Sequence, residues 1–515
     1  MRVTAALVAA LAVASLVTAP QATAATTVYE AEQATRSMGV VESNHAGFTG
    51  SGFVNFDNVK GSAVEFAVDA AVAGDGALVF RYANGTAVDR PLRVEVNGSA
   101  VTEELSFPGT GAWTTWTTRR LTARLGKGAN VVRVVATTVD GGPNLDSLVV
   151  DNGVVAPTPA DWSTAVVDAT IARRPATSLG LGYTDALFLY GVHLVHERTG
   201  EPRYLDYLKA WGNAKVKPDG STGNPYNDLD SMLAGNVFLV LARDTGEARY
   251  TLAATRIRQR LATYPRTSDG GFIHNTAFTG QLWSDGAFMA QPFLARYGAQ
   301  VGDSAYAFDE ATRQLITYFG HLGSPDGMQF HAYDETRKQG WANPTTGVSP
   351  EVWCRAVGWF GMATVDVLDV LPSAHPNRAA LLGIVRHLAG GFRRWQDPTT
   401  GRWFQLPTKP GLAGNWTETS CSSMYTYVIS RAVQRGYVEA GYLPVATKGY
   451  QGVLAKTTIG SDGRAQISDI VVGTGVGNER YYLDRPRAVN DFHGLGAFLI
   501  MNEQLASLPN KPVRP

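Results

Sequence analysis

The chain has 515 residues, a length that suggests more than one domain. Lys and Arg number 45, as do Asp and Glu, so the formal net charge is zero, which argues against a nucleic-acid binder held by bulk charge. The 11 Trp, 20 Tyr and 20 Phe are a high aromatic content; such rings fill cores and also stack on sugars.

Residues 1–24 open with Arg2 and an apolar run and end on Ala22-Thr23-Ala24, a small-x-small cleavage site. They read as a secretory signal peptide, and no later stretch is long and apolar enough to span a bilayer. The expectation is a soluble, secreted, extracellular protein. Residues 26–151 carry β-branched, partly alternating runs such as "SAVEFAVDAAV", "GALVFRYAN" and "NVVRVVATTV", and predict an all-β sandwich. Residues 152–161 hold two prolines and no period, and predict a linker.

From Trp162 to about 510 the apolar residues recur at helical spacing, as in "DALFLYGVHLVHERTG" and "RYTLAATRIRQRLATY". A weak repeat accompanies them: "TGEPRY" from Thr199, "TGEARY" from Thr245 and "VGDSAY" from Val301. Each separates an apolar helix from an amphipathic one, and Gly200, Gly246 and Gly302 lie 46 and 56 residues apart. Helix pairs at this period stack as a solenoid or close into a toroid. Long Gly-rich, aromatic, acidic loops between the pairs, "TSDGGFIHN" and "GSPDGMQFHAYDE" among them, favour an all-α (α/α) barrel with functional loops gathered at one end.

Four constellations could do chemistry. Asp285 sits in "GQLWSDGAFMAQPF" among Trp283, Phe288, Met289 and Phe293. Apolar surroundings raise a carboxyl pKa and make a proton donor, whereas an Asp ahead of an apolar helix is also a common N-cap. "NPYNDLDSMLAG" supplies Asn227, Asp228 and Asp230, of which Asp228 reads as a loop acid or cap. The stretch from "MQFHAYDE" to "EVWCRAVGWF" supplies His331, Asp334, Trp341, Trp353, Arg355 and Trp359; "NWTETSCSSMYTY" and "NDFHGLGAF" complete the set. Asp230 and Asp285 each lead from a loop into an apolar helix, so in a toroid they face one end and share a cleft. Arg355, flanked by Trp353 and Trp359, suits a bidentate contact with a substrate carboxylate, or pairs with Glu351 one turn earlier. His331 is a proton relay or a structural histidine, and the tryptophans line a site or fill a core. Cys354 and Cys421 pair in an oxidising compartment or, as the preferred reading, stay buried free thiols.

"LDSMLAG", "QLWSDGAFMA", "FHAYDE", "WANPTTGVSPEVWCRAVGW", "TETSCSSMYTY" and "VNDFHGLGAF", in that order over most of 162–507, resemble glycoside hydrolase family 105, the unsaturated rhamnogalacturonyl hydrolases. The related family 88 acts on unsaturated glucuronides with the same chemistry. The resemblance implies an (α/α)6 barrel that needs no catalytic metal or redox cofactor. It implies removal of a 4,5-unsaturated uronic acid from the non-reducing end of lyase-generated oligosaccharides, such as rhamnogalacturonan fragments, by hydration of the vinyl ether. It carries the general acid/base onto Asp285 and a second acid, orienting water or the first acid, onto Asp230. His331, Trp353, Arg355 and Trp359 then surround the uronate, with Trp283 and Asn227 beside them. The family often has Gly where this chain has Cys354; paired with Cys421 it would tie two cleft motifs together. The rival readings are a glucuronyl hydrolase, an ordinary glycosidase on a similar barrel, and a non-catalytic glycan-binding protein.

"YEAEQA", "GSGFVNF", "GAWTTWTTRRLTARLGKGANVVRVVA" and "NLDSLVVD" resemble carbohydrate-binding modules of family 35 or 6, a jelly-roll sandwich. That likeness implies a structural calcium held by Glu30, Glu32 and Asp146, sugar stacking on Trp113 and Tyr82, and a plant cell-wall or other uronate polysaccharide as ligand. Neither nucleic acid nor membrane is an expected partner.

Overall fold

The computed structural model describes residues 27–70, 73–151, 159, 161–460 and 462–507. The expected signal peptide (1–24) and most of the expected linker (152–158 and 160) lie outside the described residues. The division between two compact units falls between positions 158 and 159.

The first unit is built of β1 (Thr27–Glu30), β2 (Thr35–Ser37), β3 (Gly39–Glu42), β4 (Phe53–Phe56), β5 (Ala63–Ala70), β6 (Gly74–Ala83), β7 (Leu92–Val96), β8 (Ser99–Leu105), β9 (Thr117–Leu125), β10 (Gly128–Ala136) and β11 (Asn144–Asp151). One antiparallel sheet runs β3-β4-β11-β6-β9 with β1 added on β11, and the other runs β2-β5-β10-β7-β8. Alternation puts every second residue inward. Leu78, Phe80 and Tyr82 of β6 meet Val64, Phe66 and Val68 of β5 and Val132 and Val134 of β10 in a single core. This is the expected sandwich.

The second unit contains α1 (Trp162–Arg173), α2 (Tyr183–Thr199), α3 (Pro202–Lys215), α4 (Ala234–Thr245), α5 (Ala248–Ala262), α6 (Gly286–Gln300), α7 (Ser304–Leu322), α8 (Cys354–Val370), α9 (Arg378–Trp395), α10 (Thr419–Gln434), α11 (Leu443–Leu454), the short α12 (Glu479–Leu483) and α13 (Phe492–Ala506). Helices α2, α4, α6, α8, α10 and α13 each touch the next, and α13 touches α2, closing an inner ring. Helices α3, α5, α7, α9 and α11 pack outside their predecessors, and α1 packs on α13, completing a sixth pair from the two ends of the unit. This is an (α/α)6 barrel.

Burial follows the sequence pattern. Helices α8 and α10 are buried almost all round, as inner helices must be. Helix α5 buries one stripe, Tyr250, Ala253, Ala254, Ile257 and Leu261. The repeat marks the turns at the far end: Gly200 and Gly246 take the left-handed conformation that ends α2 and α4. In the third copy the left-handed conformation at the start of the outer helix falls on Asp303. Inner helices alternate with antiparallel outer ones, so all six inner N-termini gather at the opposite end with the long loops. There Cys354, first residue of α8, forms a disulfide with Cys421 in the first turn of α10, the two Cα atoms 5.7 Å apart. This corrects the preferred free-thiol reading: neighbouring inner helices bring their first turns side by side, a proximity invisible across 67 residues of sequence.

Candidate active site

Asp285 immediately precedes α6, and its carboxylate makes no capping bond, so the N-cap reading fails. Three local features aim it. The segment Gln281–Trp283 pairs antiparallel with Ala332–Asp334. The Ser284 backbone N–H donates to the His331 carbonyl at 2.8 Å. A Cβ on Gly286 would lie 2.8 Å from Leu229 Cδ1, so only glycine lets this turn approach the segment that carries Asp230. Asp230 opens the short turn Asp230–Leu233 that feeds α4. Asp228 accepts from the Ser231 backbone N–H, confirming it as a capping acid.

Each catalytic candidate has an imidazole beside it. His331 Nε2 lies 2.9 Å from Asp285 Oδ2, a contact of charge rather than an aligned hydrogen bond. His274 Nε2 lies 3.7 Å from Asp230 Oδ1, with its ring stacked 4.5 Å from that of Trp283. His331 Nδ1 lies 2.7 Å from the Tyr482 hydroxyl, which already accepts the Gly477 N–H.

The two carboxyls move in opposite directions. Burial pushes the Asp230 pKa up to about 6, with His274 opposing and the Asp285 charge adding. Burial also pulls on Asp285, but the neighbouring His331 and His274 outweigh it and the net shift is downward. The expectation that an apolar shelf keeps Asp285 protonated is thus corrected. The shelf exists in α6, but an imidazole from a loop 46 residues on faces the carboxylate.

Several expected substrate contacts are engaged elsewhere. Arg355 is 1 % exposed and donates to the Val471 and Val472 carbonyls and to Ser420 Oγ, so its fork is turned to backbone rather than held open for a carboxylate. It does not pair with Glu351, which binds Lys409. Trp359 is buried against Phe288, rings 5.0 Å apart, and is a wall of the inner ring rather than an open sugar platform. The Asn227 carbonyl accepts from Thr276 N–H and the Tyr264 hydroxyl, and its side chain faces Arg260 of α5. It holds the loop and is not seen turned to the acids. Trp353 packs 4.7 Å from His331, with a buried indole N–H that has no hydrogen-bond partner among the described residues. Trp283 is half-buried and joins Phe278 and His274 in an aromatic stack. Asp334 accepts four N–H or O–H groups of residues 336–339 and is structural.

Sequence reasoning missed His274, Tyr482 and Tyr183, and it singled out the motif that holds Asp491 and His493 without giving either residue a role. His274, Asp491 and His493 carried a signal, lying in or beside Gly-rich motifs ahead of apolar helices. Tyr183 and Tyr482 carried none.

In the module, Tyr82 is 2 % exposed, donates to the Pro108 carbonyl and packs edge-on against Phe107 at 4.9 Å. It is core, which corrects its assignment to sugar stacking. Trp113 is half-buried, with the Arg90 guanidinium 5.4 Å from its ring and the His45 ring stacked at 6.0 Å. Thr49 Oγ1 bridges Glu30 at 2.9 Å and Asp146 at 2.8 Å, and Glu32 accepts the Ser51 N–H. Asp146 also pairs with Arg81. Among the described residues, the group of ligand atoms that falls within 4.8 Å is Cys354, Glu418 and Cys421, so the three module acids form a looser set than a closed cage.

Residues 162–507 match Glycosyl Hydrolase Family 88, and residues 30–152 match Carbohydrate binding module (family 6). A family 105 glycoside hydrolase from C. acetobutylicum ATCC 824 is similar at 30% identity and a TM-score of 0.65, over 68% of this chain and 100% of that one. The unsaturated rhamnogalacturonyl hydrolase of Bacillus subtilis (strain 168) is 25% identical over 267 residues, 50% of this chain and 73% of its own. An exo-beta-D-glucosaminidase of Amycolatopsis orientalis is 52% identical over 120 residues, 23% of this chain but 12% of that much longer protein. With the first match running over most of its length, the chain belongs to Glycosyl Hydrolase Family 88 and is a glycoside hydrolase of the family 88/105 type that carries a carbohydrate-binding module.

Proposed function

We propose that the enzyme removes a 4,5-unsaturated galacturonyl residue from the non-reducing end of lyase-generated oligosaccharides such as rhamnogalacturonan fragments. The observation that carries this reading is the pair Asp230 and Asp285, near enough for the charge of one to act on the other, each beside an imidazole, with pKa values displaced in opposite directions. The likeness to the Bacillus hydrolase supports the substrate class.

In the free enzyme Asp230 holds a proton more readily than Asp285, which is the more acidic of the two. The uronate brings a negative charge and expels water, and both effects raise carboxyl pKa values. The inner-helix N-termini favour that anion. Asp285 takes up a proton and delivers it to C4. Positive charge develops toward C5 and the ring oxygen, and water oriented by Asp230 adds at C5 and returns a proton to Asp285. The hemiketal then collapses and releases the sugar. Side-chain proton transfer and water complete the reaction without a metal or redox cofactor.

The module directs the enzyme to a uronate polysaccharide. Glu30, Glu32 and Asp146 are hard oxygen donors suited to calcium. The buried, partnerless Glu32 Oε2 and the raised pKa of Glu30, caused by burial and by the charges of Glu32 and Asp146, fit a bound cation. A calcium there would pin the N-terminal strand to β11. The disulfide and the leader-like N-terminal residues support action outside the cell.

The test is loss of the conjugated enoate's ultraviolet band from an unsaturated rhamnogalacturonan disaccharide, with Asp285→Asn run in parallel. Loss with the wild type alone supports both the reaction and the acid. A stable band with this substrate but loss with unsaturated glucuronides moves the substrate assignment. A stable band with both removes the unsaturated-uronyl reading of this glycoside hydrolase.

A further inference from the structure

The motif "NDFHGLGAF" takes no part in the chemistry above, yet its Asp and His are joined to a tyrosine at the cleft. Asp491 is the N-cap of α13, and its Oδ1 accepts the His493 backbone N–H at 3.0 Å. The same oxygen lies 2.5 Å from His493 Nδ1, and His493 Nε2 lies 2.5 Å from the hydroxyl of Tyr183 at the start of α2. Protons on this chain run one way. A carboxylate accepts only, so Nδ1 carries the ring proton; the bare Nε2 must accept, so the Tyr183 hydroxyl donates to it. The phenol oxygen is left presenting lone pairs alone.

The surroundings hold that arrangement. His493 is 6 % exposed, and burial together with the Arg355 charge presses its pKa down to about 4, so the ring stays neutral above that pH. Burial pushes the Tyr183 phenol upward, Arg355 opposes, and the charges of Asp230 and Asp285 add, which places its oxygen within the field of both acids. The Tyr183 ring meets Trp359 edge-on at 6.2 Å, and Trp359 in turn stacks on Phe288, three residues beyond Asp285.

We propose that Asp491 and His493 are positioning residues that fix the Tyr183 phenol as a hydrogen-bond acceptor for a hydroxyl of the unsaturated uronyl ring. This rests on the substrate reading given above. Without the dyad, nothing sets the direction of the phenol proton, and the oxygen no longer presents lone pairs alone.

Asp491→Asn tests this with little change in fold, because Asn caps a helix as well as Asp. Its amide donates as readily as it accepts, so the imidazole tautomer is no longer set, as when an orienting carboxylate is amidated in a catalytic triad. The expected result is a fall of at least about tenfold in kcat/KM with a thermal midpoint within about 2 °C of wild type. Tyr183→Phe loses a similar factor, the double variant loses no more than the worse single one, and His493→Gln, which keeps an acceptor, retains more activity than His493→Leu. Nitrogen-15 spectra of labelled histidine show His493 as Nδ1–H with a bare Nε2 in the wild type and as mixed tautomers in Asp491→Asn. Full activity of Asp491→Asn, additive losses, or an Nε2–H tautomer in the wild type overturns the proposal. If the wild type turns over no unsaturated uronide, the substrate reading fails on its own, and the imidazole spectrum still decides the direction of the dyad.

Discussion

Asp230 and Asp285 should leave opposite marks on the pH dependence of stability. The Asp230 pKa rises from 3.8 to about 6 on folding. Between those values the folded chain binds a proton that the unfolded chain does not. The resulting stability is complete below the unfolded value and is lost as pH rises through about 6. A displacement of about two units is worth about 3 kcal/mol at ~1.36 kcal/mol per unit. With 33 % of the side chain open, solvent screening reduces this to about 1–2 kcal/mol. Asp230→Asn deletes the penalty of the ionised form, so at about pH 7.5 the variant should be more stable than wild type by that amount, and at about pH 3 equal to it. Asp285 has the reverse sign. Its folded pKa lies below 3.8, so it stabilises above the unfolded value and that contribution disappears as pH falls through the folded one. Asp285→Asn should be less stable than wild type near neutrality and converge with it in acid. Urea midpoints followed by far-ultraviolet circular dichroism, which reports the helical unit, measure both differences. An Asp230→Asn variant that matches wild type at both pH values, or is weaker at the higher one, refutes the raised pKa and with it the ordering of the two carboxyls.

Replacing Cys354 and Cys421 together by Ala opens a loop of 67 residues. The chain-entropy relation gives a loss of about 4 kcal/mol, read as a lower urea midpoint. An unchanged midpoint would falsify the cross-link. In the module, Tyr82→Ala should cost about 3 kcal/mol as a core truncation, whereas Tyr82→Phe should leave affinity for uronate polysaccharide intact. Trp113→Ala should do the opposite, abolishing binding in gel-retardation assays with a small shift in melting; retained binding in that variant removes Trp113 from the sugar site.

The toroid was legible because its repeat has a mechanical cause. Gly200 and Gly246 must be glycine-like to end inner helices in the left-handed conformation, and Pro202 suits the first turn of the outer helix that follows. The sixth pair was not legible, since α1 and α13 come from opposite ends of the unit and share no local pattern. The rule that loops ahead of inner helices face one end anticipated that Asp285 and Asp230 would come near each other. Their protonation was not, because it depends on His331 and His274, which no spacing ties to the acids. Tyr82 and Trp359 are different errors, as both carried a readable signal. Leu78, Phe80 and Tyr82 share one phase of a strand whose inward face is apolar, and α8 is apolar on every side, so both aromatics were bound to be buried.

The opposed acids also explain why an ionised Asp285 suits a proton donor. In the proposed hydration cycle a proton passes from Asp285 to C4 and one returns from water, so the residue would end the cycle protonated. A carboxyl that held its proton permanently would be a weak base when the water must be deprotonated. One that never took it up could not start. Asp285 sits between these limits because His331, held at Nδ1 by Tyr482, keeps it ionised in the free cleft, while the uronate's own charge tips it toward the acid form. The substrate thus brings about the protonation state that consumes it, and a neutral analogue of the same shape should bind without raising the Asp285 pKa. Asp230, with its pKa near 6, is the more basic carboxyl of the pair, and that difference follows from burial and from the imidazoles beside the two acids rather than from their own chemistry.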